Sequence, residues 1–240
     1  MDQLLVTRGL AASRQQAQAL ILAGEVFAAG QKAAKPGHPV PADVDLEVRA
    51  HTPRFASRAG EKLAAALDHF AVPVEGRVGL DIGSSTGGFT DCLLAHGALR
   101  VHAVDSGTNQ MIWRLRTDPR VHLLEKTNAR YLTAGDLGGE QPSLLVMDVS
   151  FISATLLLPQ AVPLLGPAAE LIVLVKPQFE AGREAVGKGG LVHDPAARAA
   201  AVRRVAATLE HLGGRDLGEM PSPVLGASGN QEYLLHAVLQ

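Results

Sequence analysis

Three charged residues stand at the ends of apolar segments, and a fourth lies on a helix. Asp148 closes Leu144-Leu145-Val146-Met147, Lys176 closes Leu171-Ile172-Val173-Leu174-Val175, and Glu232 opens a last segment, Tyr233-Leu234-Leu235. Lys62 lies in Gly60-Glu61-Lys62-Leu63, at the start of a helical pattern. Ligands of open α/β sheets sit outside the carboxyl ends of the strands. A lysine that ends a core strand and precedes Pro177 is an odd choice for structure alone. Taken singly, Lys62 reads as a solvated helix charge, Glu232 as a strand-end surface charge, and Asp148 with Lys176 as one structural ion pair. The four together, on elements that can meet at one sheet edge, read as a reactive set.

A second stretch carries cofactor chemistry. Asp81-Ile82-Gly83-Ser84-Ser85-Thr86-Gly87-Gly88-Phe89-Thr90 runs from a strand through a glycine-rich turn into a helix. The helix N-terminus offers unpaired N–H groups and the positive end of its dipole, and glycine lets the backbone approach a ligand. The spacing is not the G-x-G-x-x-G of nicotinamide binding. It is D-x-G-x-x-x-G-G, a first motif of S-adenosylmethionine enzymes. Asp105 ends the next strand, placed to hold both ribose hydroxyls of a nucleoside cofactor. The expected cofactor residues are Asp81, Gly83, Ser84, Ser85, Gly87, Gly88, Phe89, Asp105 and Asp148, with Asn128 placed for an adenine edge. A rival reading exists. Gly83-Ser84-Ser85-Thr86-Gly87 also matches the G-x-S-x-G nucleophile elbow, which would make Ser85 a hydrolase nucleophile with Asp148 and a later histidine. The elbow leaves Asp81, Asp105 and the lysines unexplained.

The elements that must hold these residues follow from periodicity. Strands are expected at 77–82, 101–104, 122–126, 143–148, 171–176, 217–221 and 233–238, and helices at 61–70, 89–96, 111–116, 154–165 and 195–212. Apolar strands alternating with helices make a parallel sheet covered on both faces. The last two strands lack a long helix between them and should pair antiparallel at one edge. The fold class is α/β, a Rossmann-like seven-stranded methyltransferase sheet. Before it, residues 1–50 show a smaller α+β pattern. Ser13 caps a helix with Gln16 three positions on, Gly24 ends it, and short strands follow at 26–28 and 44–48. The expected division is 1–50, a linker at 51–58, and 59–240. Composition is ordinary for a globular chain, 47% apolar and 19% charged, with net charge −2 and one cysteine, Cys92. No disulfide framework or cysteine-rich zinc site is available, and no apolar run reaches the roughly 20 residues of a membrane helix. A cytoplasmic protein without a metal and without membrane attachment is expected.

The charged set resembles the Lys-Asp-Lys-Glu of FtsJ-like 2′-O-ribose methyltransferases. Over nearly its whole length the chain resembles the TlyA, or hemolysin A-like, family. The segments that carry this are Ser13-Arg14, Ser57-Arg58-Ala59-Gly60-Glu61-Lys62-Leu63, the glycine loop, Asp148-Val149-Ser150-Phe151-Ile152-Ser153, Lys176-Pro177-Gln178-Phe179-Glu180 and Gly229-Asn230-Gln231-Glu232. The resemblance implies an S-adenosylmethionine-dependent 2′-O-methylation of cytidine in ribosomal RNA or ribosomal subunits, by a monomer or weak dimer. It makes Lys62, Asp148, Lys176 and Glu232 catalytic. A ribose hydroxyl must lose its proton as it attacks, and Lys176 would take it, with Lys62 as a neighbouring cation. The first fifty residues resemble an S4-type RNA-binding domain. Arg8, Arg14, Lys32 and Lys35, with Arg58, Arg183 and Lys188 further on, are the expected RNA contacts. The domain departs from a basic one: five acidic side chains balance five basic ones in residues 1–50. A protein-interaction module is the other reading of it. The older family name also suggests a pore-forming toxin, against which stands the lack of membrane-length segments.

Overall fold

A computed structural model describes residues 1–33, 35–48, 54–226 and 229–239, the side chains of Ala23 and Arg183 aside. The chain divides into two compact units, Met1–Pro53 and Arg54–Gln240.

The first unit holds helices α1 (Asp2–Thr7) and α2 (Arg14–Ala23) and strands β1 (Val26–Ala28), β2 (Gln31–Lys32) and β3 (Leu46–Val48). The strands form an antiparallel sheet in the order β2-β1-β3. Leu5, Ala17, Ile21, Val26 and Leu46 make its core. The cap of α2 is as expected: Ser13 Oγ accepts from Gln16 N, and Gly24 ends the helix at φ 73°. Helix α1 and strand β2 are additions to the sequence reading; both are too short for periodicity to register.

The second unit begins with α3 (Ala59–Phe70). Then follow β4 (Val78–Ile82), α4 (Gly88–Ala95), β5 (Arg100–Val104), α5 (Trp113–Arg116), β6 (Val121–Leu124) and β7 (Leu144–Met147). The chain goes on through α6 (Leu158–Ala161), β8 (Glu170–Val175), α7 (Pro177–Glu180), α8 (Pro195–His211), β9 (Gly214–Pro221) and β10 (Tyr233–Leu239). Phe55, in the segment read as linker, is buried in this unit's core.

The seven strands run in the order β6-β5-β4-β7-β8-β10-β9. The first five are parallel; β10 pairs antiparallel with β8 and with β9. Side chains alternate between two cores. Leu145, Met147, Leu171 and Val173 face one, with Val202, Val205 and Leu209 of α8. Leu144, Val146, Ile172 and Leu174 face the other, with Leu63 and Leu67 of α3. Both faces are thus covered, the condition that parallel sheets require.

One expected element is corrected. A single helix over 154–165 is replaced by a 3-10 turn (Ala154–Leu156), the four residues of α6, and a second 3-10 turn (Val162–Leu164). Pro159 and Pro163 lack the N–H that continued helix needs and clash with the preceding turn. Apolar spacing was right for burial but silent about the breaks.

Candidate active site

Strand register builds the site. Ile82 pairs with Val104 and with Met147, so the residues that follow, Gly83, Asp105 and Asp148, leave the sheet side by side. The strand order reverses at β4, which is where open α/β sheets form a crevice. A cleft of about 540 Å³ lies there, lined by Gly83, Ser85, Asp105, Asn128, Asp148 and Phe151 among others. Gly83 has φ 87°, and a Cβ on it would overlap the Asp148 carbonyl. Gly87, at φ 96°, lies against Leu115 in the same way. These two glycines are required by backbone shape and close approach together.

Asp105 is held ready for a ligand. Its Oδ2 accepts from Ser85 N at 2.8 Å and its Oδ1 from Gly107 N at 2.7 Å. A carboxylate has about four acceptor positions, so capacity for two hydroxyls remains. Ser84 is buried and its Oγ has no hydrogen-bond partner among the described residues. It faces a small cavity of about 130 Å³, with Gly83, Gly88 at the start of α4, Asp148 and Lys176 also in its walls. Phe89 is a core residue that reaches this cavity. Asn128 lines the large cleft while its Oδ1 accepts from Arg130 N, capping a 3-10 turn. Asp81 lines none of these spaces. It is fully buried, accepts from Thr90 Oγ1 at 2.6 Å, and burial pushes its carboxyl up to about 7.

The charged set assembles from the walls of the small cavity, which hold Asp148 and Lys176, to the next cleft, which holds Lys62 and Glu232. Lys176 Nζ lies 2.5 Å from Asp148 Oδ1 and donates to Ser150 Oγ at 2.8 Å. Lys62 Nζ donates to Glu232 Oε2 at 2.5 Å, across 170 residues of sequence. Register explains the second pair: Tyr233 lies opposite Val175, so Glu232 enters beside Lys176. Lys62, read singly as a solvated charge, is 7% exposed. It is held by Glu232 rather than left as a free cation beside Lys176. Lys62, Lys176 and Glu232 line a second cleft of about 480 Å³, with Arg58, Phe151 and Phe179. Phe151 stands 92% exposed at φ 66°, and its ring lies 5.3 Å from that of Phe179. The exposure of Phe151 depends on the folded backbone and is not legible from its sequence neighbours.

Among the described residues, the serine elbow has no histidine partner. Ser85 Oγ donates to Gln110 Oε1 at 3.1 Å, and no histidine is among the residues that line the three cavities. Among the described residues, no group of three or more His, Cys, Asp or Glu side chains is placed to hold a metal. No helix among them is long and apolar enough to cross a membrane.

The expected RNA contacts are dispersed. Arg58 is exposed on the rim of the second cleft, and Lys188 is exposed in a 3-10 turn (Lys188–Gly190). The side chain of Arg183 lies outside the described set. In the first unit, Lys32 and Lys35 are exposed. Arg8 donates to the carbonyls of Val44 at 2.6 Å and Ala42 at 2.5 Å, and Arg14 donates to Asp2 at 2.8 Å. Both arginines remain exposed while doing so. The Arg14 and Gln18 bonds hold the Asp2 carboxyl down at about 2.

A mostly parallel seven-stranded sheet ending in an antiparallel pair, with a glycine loop after its first strand, defines a Rossmann-like methyltransferase. The chain belongs to the FtsJ-like methyltransferase family, whose profile matches residues 55–238; an S4 domain matches residues 1–46. The chain is 49% identical to the 16S/23S rRNA (cytidine-2'-O)-methyltransferase TlyA of Mycobacterium tuberculosis, over 98% of this chain and 88% of that protein. It is 41% identical to Hemolysin A of Brachyspira hyodysenteriae, over 100% of this chain and 99% of the other. A solved protein of Streptococcus thermophilus, described as a candidate hemolysin, is 40% identical with TM-score 0.80, covering 100% of this chain and 87% of that one.

Proposed function

We propose that this enzyme transfers a methyl group from S-adenosylmethionine to the 2′-hydroxyl of a cytidine in ribosomal RNA. One observation carries the reading. Asp148 and Lys176 stand in the walls of the small cavity, which shares Asp148 with the 540 Å³ cleft and Lys176 with the 480 Å³ cleft, and the Lys62–Glu232 pair lines the 480 Å³ cleft beside them. A methyl donor in the first space and a nucleotide in the second would meet at Lys176. The cytidine and the ribosomal RNA are taken from the TlyA relative named above.

The residues present fit the cofactor. Asp105 would hold the ribose hydroxyls, and Asn128 would border the base. The unpartnered Ser84 Oγ and the first amides of α4 would receive the charged amino-acid end. Bound there, the group supplies a methyl on a positively charged sulfur. The chain's own residues do the rest. The second cleft holds one nucleotide, and exposed Phe151 offers its base a stacking face. Asp148 and Ser150 fix Nζ of Lys176, which in its neutral form takes the hydroxyl proton. Glu232 fixes Lys62, whose ammonium steadies charge on the ribose oxygen. Alignment of oxygen, carbon and sulfur supplies most of the remaining acceleration.

The test compares variants on ribosomal subunits with labelled cofactor. Lys176→Ala is expected to lose at least about 10²-fold in transfer rate while cofactor affinity, read by calorimetry, stays within about threefold. Ser85→Ala is expected to stay active. Near-normal turnover by Lys176→Ala would remove it as the base, and a dead Ser85→Ala with intact cofactor binding would favour the elbow.

A further inference from the structure

Ser150 lies in one of the family-like segments, without a site role of its own. Its position is unusual in one respect: it is the one described residue that lines all three spaces, the cofactor cleft, the substrate cleft and the small cavity between them. Its Oγ accepts from Lys176 Nζ at 2.8 Å. Lys176 itself lines the second and third spaces but not the first. A hydroxyl at the meeting point, bonded to the base, can both accept and donate a proton.

The backbone explains how the hydroxyl comes to be there. Asp148 N donates to Ile82 O, which anchors one end of the segment 148–154 to the sheet. At the other end, buried Glu180 accepts from Ala154 N at 2.7 Å and from Ser153 Oγ at 2.5 Å. Between these anchors the chain turns at Phe151, whose φ of 66° lies in the left-handed region that disfavours a non-glycine residue. The segment is therefore tied at both ends and bent in its middle, with Ser150 exposed just before the bend.

Resting on the assignment of Lys176 as base, we propose that Ser150 is a further catalytic residue, a proton relay between the substrate hydroxyl and Lys176. As methyl transfer proceeds, the substrate hydroxyl gives its proton to Ser150 Oγ. The Ser150 proton passes to the neutral amine of Lys176, which becomes an ammonium. The pair freed on the ribose oxygen forms the bond to the methyl carbon, and the carbon–sulfur pair stays with sulfur. The arrangement seen, with Nζ donating to Ser150 Oγ and lying against Asp148 Oδ1, is the hydrogen-bond pattern that follows the transfer. Before it, the serine hydroxyl donates to Nζ and accepts from the substrate.

The experiment measures single-turnover methyl transfer on ribosomal subunits for the full chain, Ser150→Ala and Lys176→Ala, in mixtures of light and heavy water. Cofactor affinity by calorimetry and RNA affinity without cofactor are read on the same samples. A relay predicts that Ser150→Ala slows transfer about tenfold or more, with both affinities within about threefold. It also predicts a bowed rate dependence on deuterium fraction for the full chain, from two protons in flight, and a straight one for Ser150→Ala. Three results would each overturn it: a loss under tenfold, a cofactor affinity loss that accounts for the slowing, or the same curve shape in both proteins. If Ser150→Ala behaves normally while Lys176→Ala is inactive, the relay fails and the base stands. An active Lys176→Ala removes the base itself.

Discussion

At Gly83 two constraints meet in one residue. Its φ is 87°, and a Cβ would overlap the carbonyl of Asp148. Gly83→Ala must adopt the left-handed region at a cost of about 1–2 kcal/mol and must also push apart the two loops that frame the 540 Å³ cleft. The expected outcome is a folded but destabilised protein with cofactor binding reduced at least tenfold in calorimetry. Unchanged affinity would mean that the close approach serves packing alone. Gly83 was legible in the sequence because glycine types and spacing report backbone shape directly. Lys62 was only half legible: its place on a helix could be read, but its burial against Glu232, 170 residues away, could not. Asp81 was read as a ligand contact because it sits in the motif, yet alternation along β4 turns it inward to Thr90. Ser150 was legible as part of a motif and invisible as a junction, since only folded walls define three cavities.

Strand β4 carries a buried acid, Asp81, whose titration makes stability depend on pH. Burial holds the folded Asp81 carboxyl at about 7, against 3.8 when exposed. Below 3.8 both folded and unfolded states keep the proton, and the contribution to stability is fully present. As pH rises toward 7 the unfolded chain releases the proton and the folded chain does not, so stability is lost by up to about 1.4 kcal/mol per pH unit. Asp81→Asn lacks this term. Urea unfolding is expected to show the stability of the parent relative to Asp81→Asn falling between pH 5 and pH 7.5; a constant difference would mean that Asp81 is not titrating there. At this scale much of the fold could be read. The seven strands and the antiparallel pair were visible in apolar runs and missing helices. The break between 154 and 165 was not, because Pro159 and Pro163 lie inside an otherwise continuous apolar spacing.

Across the whole molecule, the proposed chemistry lies entirely in the second unit. A fragment starting at Arg54 is expected to bind the cofactor as the full chain does and to lose most methylation of ribosomal subunits. The S4 unit would supply RNA contact, with Lys32 and Lys35 exposed and Arg8 and Arg14 partly committed to bonds within the unit. RNA binding measured between about 50 and 200 mM salt should therefore weaken less than for a strongly basic domain. Equal affinity and equal salt dependence with and without residues 1–53 would assign that unit to another partner.

The most direct test of the central claim is the chemical position of the methyl group. Purified protein is incubated with labelled S-adenosylmethionine and unmodified ribosomal subunits, the RNA is digested to nucleosides, and the labelled product is identified by mass. Label is expected in 2′-O-methylcytidine, retained in the full chain and in Ser85→Ala and absent in Lys176→Ala. Label on a base, or on the ribose of another nucleoside, would contradict it, as would an inert protein that binds the cofactor but modifies no RNA.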